Sequence, residues 1–263
     1  MNPLTDLDVR LVIGHRGNAA FAPENTLESF DQAVALGVDA IEFDVRLARD
    51  GVAMVMHDPT LERTAGRREP VASLTVSELR SADTGATFTR DGGRTFPYRG
   101  HGLTVPTLAE VLSRFPSVPM LIEVKVPEAA REVERALEAA GATQRVVVAS
   151  MTHDAVAPFR GGRVATGASA IDVIRLLAPA LMHMERARLP YRALCIPRWY
   201  YGVPLPVVRL ARAGRHAGAV THVWTIDDPR IAKRLWRAGV QGIVTNDPAT
   251  MIRTRTELGD SRR

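Results

Sequence analysis

The chain has 263 residues, 46% of them apolar, a formal charge of +5 and a single cysteine, Cys195; this accommodates one large α/β barrel or two modest domains and excludes an intramolecular disulfide. Its arginines are spread along the chain without a long basic tract or aromatic interleaving, so the charge argues for a small anionic substrate and against nucleic acid. The opening "MNPLTDLDVRLVIGHRG" lacks the basic start and apolar run of a signal peptide, and no stretch approaches the roughly 18 apolar residues of a membrane span; the expectation is a cytoplasmic protein without a stable membrane anchor.

Short β-branched runs alternate with helical stretches almost to the end, the pattern of a parallel sheet crossed by helices. The first strand, "LVIG" (11–14), leads directly into His15 and Arg16, with Gly14 and Gly17 permitting a tight turn. "PENTLESF" then opens a helix. Asn25 is expected as its cap, Glu28 completes a capping box three residues on, and Leu27, Phe30 and Val34 supply the buried stripe. Glu24, just ahead of the cap, is left open between a structural role and a place in the site.

The second strand, "AIEFDV" (40–45), puts Glu42 and Asp44 on one face, because strand side chains alternate with a period of two. It is followed after a short link by "AMVMH" (53–57). A parallel crossover needs a dozen or more residues, whereas Asp50-Gly51 is a strong hairpin signal, so this strand must return antiparallel. If Asp50 and Gly51 are the two central turn residues, the ladder brings His57 opposite Asp44. Asp58 is expected to serve the turn or to orient His57.

Residues 58–106 have no strand-helix rhythm and are expected to form a short insertion, with "SLTVSELRSAD" (73–83) as its one helix, capped by Thr75 or Ser77. The rhythm resumes with "MLIEVK" (120–125), where Glu123 and Lys125 share a face. The segment "PEAAREVERALEAAG" (127–141) is the clearest helix, with Val133, Ala136, Leu137 and Ala140 on one stripe and Gly141 as its stop. Further strands follow at "RVVVAS" (145–150), "RVATGA" (163–168), "ALCIP" (193–197), "VTHVWT" (220–225) and "GIVT" (242–245), and "ELGDSRR" is expected to fray. With 53–57 set aside as a hairpin return, eight parallel strands remain, and the length agrees with the roughly 250 residues of a (β/α)8 TIM barrel.

Glu42, Asp44, Glu123 and Lys125 sit at strand C-terminal ends, where barrels gather catalytic groups, and His15 and Arg16 belong to the same mouth. Three converging carboxylates call for a cation, and oxygen-only ligands suit Mg2+ or Ca2+ rather than zinc. Two histidines, two cations and a metal form a set for cleaving a phosphoester. His222 shares a strand face with Trp224 one layer deeper and reads as a core histidine. His101, His153, His183 and His216 show no partner pattern. Trp199, Tyr200 and Tyr201, following "ALCIP", are candidates to floor the mouth, with packing the competing explanation.

These segments together resemble the glycerophosphodiester phosphodiesterase family. The resemblance rests on "GHRGNAAFAPENTLESFDQAVALGVDAIEFDVRLARDGVAMVMHDPTLERT", "VPTLAEVL", "LIEVK", "VWTIDDP" and "GVQGIVTNDP", whose combined order and spacing are far more specific than any one motif. It implies a single barrel domain over 1–263 with an insertion after the hairpin, and hydrolysis of glycerophosphodiesters to sn-glycerol 3-phosphate and an alcohol, chemistry that belongs to lipid and glycerol metabolism. Glu42, Asp44 and Glu123 match its metal ligands, His15 and His57 its acid-base pair, Arg16 and Lys125 its phosphate-binding cations, and Trp224 a tryptophan lining the substrate pocket. It further implies a divalent cation, Ca2+ or Mg2+. The chain departs from the pattern in its short insertion with "FTRDGGRTFPYRGHG" and in Met151, where relatives often carry an aromatic after the serine. Head-group preference and oligomeric state stay open. Two rival readings are a lysophospholipase D-like activity, which would require an apolar channel beside the mouth, and a non-catalytic phosphodiester-binding barrel.

Overall fold

The computed structural model describes residues 2–182, 184 and 188–259; His183 and residues 260–263, the end of the polar tail, lie outside them. Its strands are β1 (Leu11–His15), β2 (Ala40–Leu47), β3 (Ala53–Val55), β4 (Met120–Val124), β5 (Val146–Ala149), β6 (Ala165–Thr166), β7 (Ala193–Pro197), β8 (Trp199–Tyr200), β9 (Val203–Pro204), β10 (Val220–Trp224) and β11 (Gly242–Thr245). Eight of them pair in parallel in the order β6-β5-β4-β2-β1-β11-β10-β7, and a parallel bridge between Gly167 and Ala193 brings the two ends together. This is the (β/α)8 barrel expected from the strand rhythm.

The helices are α1 (Leu27–Leu36), α2 (Glu62–Ala65), α3 (Val76–Arg80), α4 (Leu108–Arg114), α5 (Ala130–Ala139), α6 (His153–Val156), α7 (Ala170–Leu181), α8 (Val207–His216), α9 (Pro229–Arg237) and α10 (Pro248–Thr256). Strand residues divide by parity between two environments. Ile41, Phe43, Val45, Met120, Ile122 and Val124 face outward into the layer beneath the helices. Ile13, Leu121, Val147, Ala193, Val220 and Val244 fill the barrel interior. The same alternation forces Glu42, Asp44 and Glu123 inward.

The floor of the barrel is closed by the N-terminus. Leu4 is fully buried there, and its carbonyl oxygen accepts a hydrogen bond from His222 Nε2 at 2.9 Å. His222 is therefore the core histidine the sequence suggests. In α5 the stripe is buried at Ala130, Val133 and Leu137, while Ala140 is exposed because it lies past the end of the helix.

The hairpin register differs from the sequence expectation by one residue. Val45 pairs with Val55 and Leu47 with Ala53, and Ala48 N donates to Val52 O. The loop therefore holds three residues, with Gly51 at φ 79°, the geometry of a type I turn followed by a left-handed residue. Consequently Met56, and not His57, lies opposite Asp44, and Met56 N donates to Asp44 O at 2.9 Å. The regular ladder ends at Val55, so the slip does not carry His57 to the wrong face.

Between the hairpin and α4 the chain builds a small satellite core of Met54, Met56, Leu61, Val71, Leu79 and Val105. It contains α2 as well as α3 and a 3-10 turn at Val71–Ser73, so the single helix expected there is incomplete. Thr75, not Ser77, caps α3 in a reciprocal box with Glu78.

Candidate functional site

The barrel mouth holds a cavity of about 190 Å3 whose wall includes His15, Arg16, Glu42, His57, Glu123, Lys125 and Trp224. Asp44, almost fully buried, is tied to this wall through Arg16 and Lys125. All eight residues singled out in the sequence thus converge here. The convergence follows from register: His15 lies beside Glu42 across β1 and β2, and Asp44 lies beside Glu123 across β2 and β4.

Glu42, Asp44 and Glu123 each offer an oxygen within 4.8 Å of the others. Lys125 Nζ bridges Asp44 Oδ1 and Glu123 Oε2, both at 2.9 Å, and makes no ion pair with Glu42. Arg16 Nε lies 3.2 Å from Asp44 Oδ2. Burial opposes the Asp44 charge, but Lys125 and then Arg16 overcome it and hold the carboxyl at about 2. Glu42 behaves oppositely: burial first, then the adjacent Asp44 charge, pushes its carboxyl well above the usual range. Its Oε2 accepts from the Arg16 backbone N–H at 3.1 Å.

An all-oxygen set in which one buried carboxylate is destabilised by its neighbour is a set that gains from a hard cation between its members. The residues present therefore fit a divalent metal. Glu42, Asp44 and Glu123 are the groups that would hold it.

Both histidines are gripped by Nδ1. His57 Nδ1 lies 2.6 Å from Asp58 Oδ1, a carboxylate that can only accept, so the proton sits on Nδ1 and Nε2 is left for chemistry. His15 Nδ1 lies 2.7 Å from Asn246 Oδ1. Asn246 in turn donates Nδ2 to Asp227 Oδ2 at 2.8 Å, which fixes the amide with its oxygen toward the ring. His15 is thereby also held as the Nδ1–H tautomer, and Nε2 stands 4.0 Å from Glu42 Oε2. Burial, and then the Arg16 guanidinium, lowers its pKa.

Arg16 and Asn25 are both non-glycine residues in the left-handed region, at φ 53° and 57°. Such strain persists where surrounding contacts over-determine it. Asn25 N donates to Arg16 O, and Asn25 Nδ2 donates to Asp44 Oδ2 at 3.0 Å. Asn25 is therefore not the helix cap the sequence suggests. Thr26 caps α1 by accepting from Ser29 N, and Asn25 is released to steady a carboxylate in the site. Gly17 is required behind this turn: at φ 93° a Cβ there would meet Ser29 Oγ at 2.4 Å.

Glu24, left open by the sequence, belongs to the mouth. It joins Arg16 NH1 at 2.7 Å to Arg63 NH1 and NH2 at 2.6 and 2.7 Å, and Arg63 Nε reaches Asp58 Oδ2 at 2.6 Å. Arg63, Asn246 and Asp227 were not singled out from sequence, although each lies in or beside a quoted segment; their roles depend on a fold that brings distant loops together. Trp199, Tyr200 and Tyr201 do not floor the mouth. They form and turn the β8–β9 hairpin to one side, because the chain leaves the barrel after Pro197.

A model of the "Glycerophosphoryl diester phosphodiesterase family" matches residues 15–250. The chain is 29% identical over 249 residues to a glycerophosphodiester phosphodiesterase of Caldanaerobacter subterraneus subsp. tengcongensis, covering 92% of this chain and 96% of that protein. Its fold is similar to that of a putative glycerophosphoryl diester phosphodiesterase from Silicibacter pomeroyi, with a TM-score of 0.77, 27% identity and coverage of 96% and 95% of the two chains. It is also similar in fold to an Oleispira antarctica phosphodiesterase solved in complex with the product sn-glycerol-3-phosphate, with a TM-score of 0.73 at 23% identity and coverage of 94% and 97%.

Proposed function

Because the chain belongs to the glycerophosphoryl diester phosphodiesterase family, we propose that its barrel mouth hydrolyses glycerophosphodiesters to sn-glycerol 3-phosphate and an alcohol, with His15 and His57 as the acid-base pair. The observation that carries this reading is the meeting of two Nδ1-anchored imidazoles, two cations and three carboxylates around one cavity.

Glu42, Asp44 and Glu123 are assigned to a divalent cation, Mg2+ or Ca2+, which when bound would neutralise phosphoryl charge and lower the pKa of a bound hydroxyl. Arg16 and Lys125 bind the non-bridging oxygens of the diester, their own charges held in place by Asp44, Glu24 and Glu123. One imidazole takes a proton at Nε2 from the attacking hydroxyl. The other, carrying a second proton at Nε2 as the imidazolium, delivers that proton to the departing alkoxide. Trp224 provides an apolar wall that orients the glycerol or head group and keeps water from the remaining face.

The reading is tested by 31P spectroscopy of glycerophosphocholine incubated with the protein and either metal. Formation of sn-glycerol 3-phosphate and choline is expected; glycerol and phosphocholine would contradict the assignment of the scissile bond. A diester lacking the 2-hydroxyl separates direct attack by water from a cyclic phosphate route, since unchanged turnover is incompatible with the latter.

A further inference from the structure

An apolar groove runs from the mouth toward α7. Met151 and Cys195 line both the mouth and the groove, which continues between Val173, Ile174 and Leu177 on one side and Tyr200 and Leu205 on the other. The rim is not sealed by the fold: Ile174 is 61% exposed, and the β8–β9 hairpin beside it leaves Trp199 56%, Tyr201 91% and Val203 61% exposed. A contiguous apolar face of this kind costs solvation in a free monomer and marks a surface that meets something apolar.

The opposite flank of the same hairpin has a different character. A cavity of about 370 Å3 there is walled by Arg198, Arg209 and Arg234 together with Trp199 and Pro204. Among the described residues lining it none is acidic. Arg209 NH1 donates to Leu181 O at 3.2 Å, which ties this basic flank to the end of α7. The hairpin therefore carries an aliphatic groove on one flank and arginines on the other, with aromatic rings bearing polar tips between them.

We propose that the face formed by α7 and the β8–β9 hairpin docks on a bilayer surface containing anionic phospholipid. Trp199, Tyr200 and Tyr201 suit the headgroup level, where an amphipathic ring keeps its polar edge wet and its body in the acyl boundary. Arg198, Arg209 and Arg234 meet anionic headgroups beside them. A second copy of the chain is the poorer occupant: an isologous contact pairs the patch with its own copy, and the lining around Arg198, Arg209 and Arg234 offers no carboxylate to answer those charges. The groove adds the directional argument, resting on the reading of the mouth as the reaction site, because it leads from the docked face to Met151 and Cys195 at that site.

The test is co-sedimentation of the full chain with vesicles of phosphatidylcholine alone and of phosphatidylcholine with phosphatidylglycerol at roughly 3:1, a composition that supplies the anionic surface the arginines require. Two variants accompany it, Trp199→Ser with Tyr201→Ser, and Arg198→Gln with Arg209→Gln and Arg234→Gln. Wild type is expected to sediment with the anionic vesicles, and each variant to bind about tenfold or more weakly while still cleaving soluble glycerophosphocholine. Added salt should weaken binding by wild type. Absence of wild-type binding to either vesicle overturns the proposal, as does equal binding by the variants. Self-association that the first variant abolishes, without vesicle binding, assigns the face to a second copy and overturns it too. Vesicle binding and soluble turnover are separate readouts, so a failure of hydrolysis falls on the reaction assigned to the mouth and a failure of sedimentation on the docking face.

Discussion

The Asp58 carboxylate lies 2.6 Å from Nδ1 of His57, and its second oxygen lies 2.6 Å from Arg63 Nε. The carboxylate orients the ring and is itself oriented. Asp58→Ala should lower kcat by about 10- to 100-fold with little change in KM, a smaller loss than the ~10²- to 10⁴-fold expected for His57→Ala. Steady-state kinetics on glycerophosphocholine checks this; a raised KM with kcat unchanged would mean that Asp58 serves binding instead.

The acid and the base are separable through the leaving group. A glycerophosphodiester of p-nitrophenol departs without needing a proton, so one of the variants His15→Ala and His57→Ala should regain most of its rate on this substrate while the other stays impaired. Rescue of both, or of neither, would contradict a division of labour between the two imidazoles.

Asn25 steadies Asp44 from a strained backbone position. Asn25→Ala should raise the metal concentration needed for half-maximal activity by about 10- to 100-fold, as loss of a partner behind a ligand does elsewhere. Activity as a function of added Mg2+ is the measurement. A deficit that excess metal leaves unchanged would argue against this role.

His222 links stability to pH independently of the site. Burial, only partly offset by the hydrogen bond to Leu4 O, lowers its pKa to about 4 from 6.5. The unfolded chain therefore takes up this proton first as pH falls. Stability from the neutral ring is complete above pH 6.5, declines on the way down to about 4 and then levels off, a total of about 3 kcal/mol. His222→Gln should flatten that part of the thermal stability profile between pH 4 and 6.5, as measured by Tm.

Much of this architecture is legible in the sequence because barrel strands carry their own parity. The run Ile41, Phe43, Val45 against Ala40, Glu42, Asp44 announces two faces, and "LIEVK" repeats the signal on the neighbouring strand. The hairpin is equally plain, but its register turns on whether Gly51 ends a two- or a three-residue loop, and Asp-Gly is compatible with either. Asn25 is hidden for a related reason. Asn and Thr are both good caps, so the sequence alone does not say that Thr26 takes the cap and leaves Asn25 to Asp44. Arg63, Asp227 and Asn246 act across loops far apart in the chain, and no local periodicity encodes such meetings.

The most direct test of the whole account is release of sn-glycerol 3-phosphate from glycerophosphocholine, measured for wild type after EDTA treatment, after return of Mg2+ or Ca2+, and for His57→Ala under the same conditions. The account predicts that chelation abolishes release, that a divalent cation restores it, and that the variant stays at least ~10²-fold slower at every metal concentration. Full release by the chelated enzyme, or undiminished release by the folded variant, would contradict it.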